Sequence, residues 1–169
     1  MPSTITAAML FPSSVKQILN FDCNNALEDI LLPDNLEFIS FKEFFDKFIP
    51  NNFIPKSVKT IKLTCWNYKI NKDNLPDNLS TLIINDDTNG VIENLPDNLV
   101  KLKLLGRFHN SILNNLPILL KVLEIDFLRY ELNNLPVTLE KLIIHVCNKN
   151  VYDKIKIPFC CHVYIKSII

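Results

Sequence analysis

The chain has 169 residues, of which 48% are hydrophobic, enough to build a core for one domain. Its charge is balanced, 18 basic against 18 acidic residues, and the basic set holds only two arginines, Arg107 and Arg129. That balance excludes the basic stripe of a nucleic-acid binder, and two glycines in the whole chain leave little for phosphate-cradling loops.

The first residues, "MPSTITAAMLFPSSVKQ", carry no early Lys or Arg, and their apolar run is broken at Pro12. They do not read as a secretory signal. No stretch approaches the roughly 18 consecutive apolar residues of a membrane span. Five irregularly spaced cysteines without an export signal point to reduced thiols in the cytoplasm.

From Phe11 onward the chain repeats itself. Pro12, Pro33, Pro55, Pro76, Pro96, Pro117, Pro136 and Pro158 recur at a spacing of about 21 residues. A large apolar residue precedes each. In the six central copies apolar residues also stand three, six and eight positions after the proline: Leu36, Ile39 and Phe41 in one, Leu102, Leu104 and Leu99 in another. The unit L-P-x-x-L-x-x-L-x-L ends in an alternation of period two, which predicts a short strand. One such strand buries almost nothing. Stacked on its copies about 4.8 Å apart, it builds a parallel sheet with continuous inward columns. Only a few residues per unit remain for the other side, so turns and extended segments are expected there rather than helices. The expected fold is therefore mainly β, an open solenoid of about seven repeats with a parallel concave sheet. Residues 1–32 form a degenerate first repeat or cap, 33–151 the central repeats, and 152–169 a C-terminal cap. The terminal copies break the pattern eight after the proline, with Asn20 and Lys166, while Tyr164 keeps the inward place six after it.

Asparagine recurs two residues before the proline at Asn74, Asn94, Asn115 and Asn134. Stacked side chains there are expected to hydrogen-bond neighbouring backbone groups in the turns. In the fourth copy "NDDTNG", residues 85–90, brings Asp86, Asp87 and Asn89 together, but without the distal Glu or the length of a calcium loop; it reads as a solvated turn.

The repeat columns look like a short form of the leucine-rich repeat. More closely, "PSSVKQI", "PKSVKTIKL", "PDNLVKLKLLGRFHNSI" and "LPVTLEKLIIH" resemble the FNIP repeat family. "FHNSI", Phe108 to Ile112, stands where that family carries Phe-Asn-x-x-Ile, with His109 inserted; elsewhere Phe44, Trp66 and Tyr130 sit near the same phase. The resemblance covers residues 11 to about 158. It implies a binding scaffold without catalytic residues, of a kind known from social amoebae and giant DNA viruses, with host cytoplasm as the location if the chain is viral. Some relatives carry an F-box before the repeats and resemble ubiquitin-ligase substrate adaptors. Here the first repeat starts at Phe11, so no F-box is expected ahead of it, and a ligase link is expected to need a separate chain.

Toward the C-terminus His145, Cys147, Cys160, Cys161 and His162 are soft metal-ligand types in a short window. Their spacing is not Cys-x-x-Cys, and adjacent Cys160 and Cys161 diverge on a strand. Cys147, eleven residues after its proline, reads as a buried core residue. Cys23 and Cys65 have no placed His partner, and no nucleophile, P-loop or zinc-protease motif is present. No metal, no cofactor and no catalysis are expected.

The remaining candidate is the strand face turned away from the core, five, seven and nine residues after each proline. Its expected binding residues are Lys62, Thr81, Ile83, Lys101, Lys103, Leu105, Val122, Glu124, Lys141 and Ile143. Apolar and charged groups are mixed there, as on a protein-binding patch, with no uniform track for nucleic acid and no membrane face. Lys103 and Glu124 fall on adjacent repeats and are expected to pair, for under about 1 kcal/mol. A protein partner is expected. The alternatives are a ubiquitin-linked substrate receptor or a vestigial repeat without a ligand.

Overall fold

The computed structural model describes residues 9–24, 26–43, 45, 47–64, 70–85, 92–106, 115–128, 131–152 and 154–168. Each proline of the series opens a tight turn. The amide three residues on donates to the proline carbonyl in all eight copies, from Val15 to Pro12 through Cys161 to Pro158, at 3.0 to 3.2 Å. A proline suits this first position, because its carbonyl accepts and its missing N–H is not asked for. The carbonyl one residue past the turn then takes two amides from the following copy. Lys59 O, for example, accepts from Ser80 N at 3.0 Å and Thr81 N at 2.9 Å. That forked bond sets the register before the strand begins.

The strands follow directly. β1 (Met9–Leu10) and β3 (Ile30–Leu31) pair as a small parallel ribbon. The main sheet holds β2 (Gln17–Phe21), β4 (Phe38–Phe41), β5 (Thr60–Thr64), β6 (Thr81–Asn85), β7 (Lys101–Leu105), β8 (Val122–Leu128), β9 (Lys141–Cys147) and β10 (His162–Ile168). All eight are parallel, in order β10-β9-β8-β7-β6-β5-β4-β2. The protein is thus a mainly β solenoid. Helix among the described residues is limited to a 3-10 turn, Leu27–Asp29, and one α-turn, Lys149–Tyr152.

The inward columns are continuous. Leu36, Val58, Leu79, Leu99 and Leu120 from the turns are fully buried. So are Ile39, Ile61, Leu82, Leu102, Leu123 and Leu142 from the strands, and Leu63, Ile84, Leu104 and Ile144 two positions on. Each such side chain contributes about 1.5–3 kcal/mol by burial, so stacking alone supplies a core that no single repeat could. Beyond them the alternation breaks, and Leu128 and Cys147, register partners eleven residues after their prolines, turn inward together.

Both terminal copies keep their apolar columns by a one-residue slip. In β2 the ladder is interrupted between Ile18 and Phe21, and Asn20 takes φ 52°. The bulge rotates Asn20 out and brings Phe21 opposite Phe41. Phe21 becomes the hub of an aromatic cluster, with ring centroids of Phe11, Phe41, Phe45 and Phe53 5.6–6.5 Å away. At the other end His162, four residues after Pro158, pairs with Lys141, five after Pro136. This corrects the expected phase. Val163 and Ile165 pack against the core, whereas Tyr164 faces out and is 51% exposed, because a shift of one residue exchanges the two faces of a strand. Cys160, at φ 66° in the last turn, absorbs that slip.

The four asparagines divide. Asn74 is buried, and its Oδ1 accepts from Asn71 N within its own turn at 3.0 Å; Asn94, Asn115 and Asn134 are exposed. The bonds between copies come instead from the second residue after the proline. Ser57 Oγ donates to Leu36 O at 2.7 Å, Asn98 Nδ2 to Asp77 O at 3.1 Å, and Thr138 Oγ1 to Ile118 O at 2.6 Å. That position lies at the turn corner, where a short polar side chain reaches the carbonyl one rung below.

Candidate functional site

The turn fixes where each strand starts, so the outward residues of successive strands stack in register. One column runs Phe38, Thr60, Thr81, Lys101, Val122, Lys141 and His162. The next runs Ser40, Lys62, Ile83, Lys103, Glu124, Ile143 and Tyr164. Leu105 pairs with Asn85 beside them. All ten expected binding residues therefore lie on one face. Lys62 and Lys141 are exposed, and Thr81, Ile83, Lys101, Lys103, Leu105, Val122, Glu124 and Ile143 are half-buried. Ser40 is only 4% exposed, because its hydroxyl accepts the Asn20 amide released by the bulge, at 2.9 Å.

The centre of this face is a charged network. Lys103 Nζ lies 2.6 Å from Glu124 Oε2. The other oxygen of Glu124 is 2.9 Å from His145 Nε2, whose Nδ1 is 3.1 Å from Asp126 Oδ1. Lys166 Nζ approaches the same Nε2 at 3.5 Å. A neutral imidazole has one N–H and can donate to only one of the two carboxylates, whereas an imidazolium donates to both. Burial pushes the Glu124 carboxyl pKa up. The hydrogen bonds from Lys103 and His145, with their charges, pull harder and hold it below the ordinary carboxylate value. The Lys103–Glu124 contact was foreseeable from adjacent copies. The His145 link was not drawn from the sequence, although Asp126 and His145 occupy the same place in neighbouring repeats. Next to the network Lys141 Nζ stands 4.8 Å above the Tyr164 ring.

The cysteine and histidine window is split by the sheet. Cys147 is fully buried, where burial raises its thiol pKa, while His145 belongs to the outer face, Cys160 is exposed and Cys161 is half-buried. Among the described residues no three His, Cys, Asp or Glu side chains come together as a metal site. Asp86, Asp87 and Asn89, the Phe108–Ile112 segment, Cys65, Phe44, Trp66 and Tyr130 lie outside the described residues. No helix among the described residues is long and apolar enough to cross a membrane.

Residues 23–65 and 45–87 each match the family model of the FNIP repeat. The two matches start one repeat apart, and together they cover β4, β5 and β6. The chain also superposes on the crystal structure of CroV588, a novel circular LRR protein, with a TM-score of 0.69 and 26% identity. Residues 23–87 thus carry FNIP-repeat sequence within a leucine-rich-repeat-like solenoid. The superposition takes in 94% of this chain and 24% of CroV588, so the chain spans about a quarter of that protein's length. No curated protein matches it. Of the words that carry the resemblance, "PKSVKTIKL" at 55–63 lies inside both matched spans, while "FHNSI" falls outside them. It is the L-P-x-x-L-x-x-L-x-L columns of the N-terminal half that carry the match.

Proposed function

We propose that this FNIP-repeat protein is a non-catalytic scaffold that binds a partner protein on the outer face of its sheet, in the cytoplasm. The observation that carries the reading is the half-exposed apolar set Ile83, Leu105, Val122 and Ile143 on one face, with Ile83 a register partner of Lys62 and Val122 of Lys101 and Lys141. Such residues contribute nothing to the core, and a surface that mixes them with charge suits a protein interface. The free thiols Cys147, Cys160 and Cys161 fit a reducing compartment.

The test is affinity capture by the tagged chain from its native cell, with Ile83→Asp and Lys101→Glu as the control variant. Lys103 is left alone, because its loss would strand Glu124. A partner held by the wild type and lost by the variant supports the reading. Ligase subunits among the captured proteins would favour the substrate-receptor alternative. A partner unaffected by the variant would move binding off the outer face, and none above background would leave a vestigial repeat as the better description.

A further inference from the structure

The chain is neutral overall, yet its charge is sorted. On the outward face of β5 to β10 stand Lys62, Lys101, Lys103, Lys141 and Lys166, against the carboxylates Glu124 and Asp126 alone. Both carboxylates are already engaged, Glu124 by Lys103 and His145, and Asp126 by His145. The balancing acids sit elsewhere: Asp34, Asp77 and Asp97 at the turn corners, and Glu37 and Glu140 just after them. Glu37 and Glu140 are themselves paired with Lys16 and Lys121. Among the described residues Lys62, Lys101 and Lys141 make no ion pair. Among the described residues they are cations on a face whose carboxylates are already engaged.

Their placement is regular. Lys62, Ile83 and Lys103 are consecutive register partners in one column, and Lys101, Val122 and Lys141 in the next. Each column therefore reads basic, apolar, basic. At about 4.8 Å per rung, the two lysines of a column are about 10 Å apart with an apolar side chain between them. Three residues of an extended chain span the same distance, at about 3.3 Å each.

Resting on the reading that this face binds a protein, we propose that its ligand is an acidic, extended segment of the partner. That segment runs across the strands, with carboxylates meeting Lys62, Lys101 and Lys141 and apolar residues lying on Ile83 and Val122. Nucleic acid is the weaker fit, because among the described residues the face offers lysine point charges and no arginine fork.

The direct test titrates the whole chain against a short fluorescent peptide built from Glu and Val with Glu at every third position. Its Gln counterpart and an RNA homopolymer serve as comparators. The proposal expects binding of the Glu peptide that weakens with salt, none of the Gln peptide, and a loss of about tenfold or more for the Lys62→Gln, Lys101→Gln, Lys141→Gln variant. These side chains are outside the core, and a circular dichroism spectrum and melting curve matching the wild type keep the comparison valid. No binding of the Glu peptide, equal binding of the Gln peptide, or RNA binding lost in the same variant would each overturn it. The broader reading is separable. A native partner that is lost with Ile83→Asp but retained by the triple Gln variant would leave the outer face as the binding surface and refute an acidic ligand.

Discussion

Two polar side chains carry more than their position suggests. Ser40 belongs to an outward column, yet it is buried because the Asn20 amide needs an acceptor at the bulge. Ser40→Ala leaves that amide without its partner and should lower stability by about 1–2 kcal/mol, read from urea denaturation midpoints. Glu124 has a side chain only 13% exposed and touches both Lys103 and His145. It therefore exceeds the worth of an exposed pair, and Glu124→Gln should cost about 1–2 kcal/mol near neutral pH. Its folded pKa lies below the ordinary carboxylate value. The stabilisation is therefore complete above the unfolded value of about 4.3 and is lost as the pH falls through the lower folded value. The gap between wild type and variant should close on acidification. A gap unchanged into strong acid would mean that Glu124 acts through packing rather than through its charge.

At the scale of the strand and turn, most of the structure was readable from spacing alone. The proline fixes the turn, the turn fixes the register, and period two assigns Leu102 and Leu104 inward and Lys101 and Lys103 outward. What spacing could not reveal were the two slips. A bulge at Asn20 and a left-handed residue at Cys160 each move a strand by one residue relative to its proline. Both are choices of backbone dihedral that the burial of Phe21, Val163 and Ile165 makes favourable, and no local residue pattern announces them. The binding candidates were legible as a face because a column follows from the repeat. The network on that face was not, since it depends on how His145 turns between two carboxylates. The inward assignment has a direct consequence. Leu102→Ala leaves a hole in a fully packed column and should cost about 2–5 kcal/mol. Val163→Ala, in the half-buried column of β10, should cost well under half as much. Equal losses in thermal or urea unfolding would contradict the burial gradient along the stack.

For the whole molecule that gradient decides how the fold comes apart. Every copy contacts chiefly the one before and the one after, through ladder bonds, the corner side chains and the inward columns. Stability in such a stack is a sum of neighbour terms, so a copy with complete partners on both sides opens last. β6, β7 and β8 have fully buried residues from their own strand and from both neighbours. β10 has one neighbouring strand, and its inward residues are only half-buried. β2 also has one, but its Phe21 is buried and packs against the rings of Phe11, Phe41, Phe45 and Phe53. Hydrogen exchange of the chain followed by mass spectrometry should therefore show β10 amides exchanging first, β2 later, and β6 to β8 last, at a rate near that of global unfolding. Uniform protection from β2 to β10 would mean that the columns couple the stack into one all-or-none unit, and neighbour terms would no longer describe it. The same experiment bears on binding. Lys101, Val122 and Ile83 sit on the slowest strands, so the proposed surface is held rigid before any partner arrives and little ordering is left to oppose association.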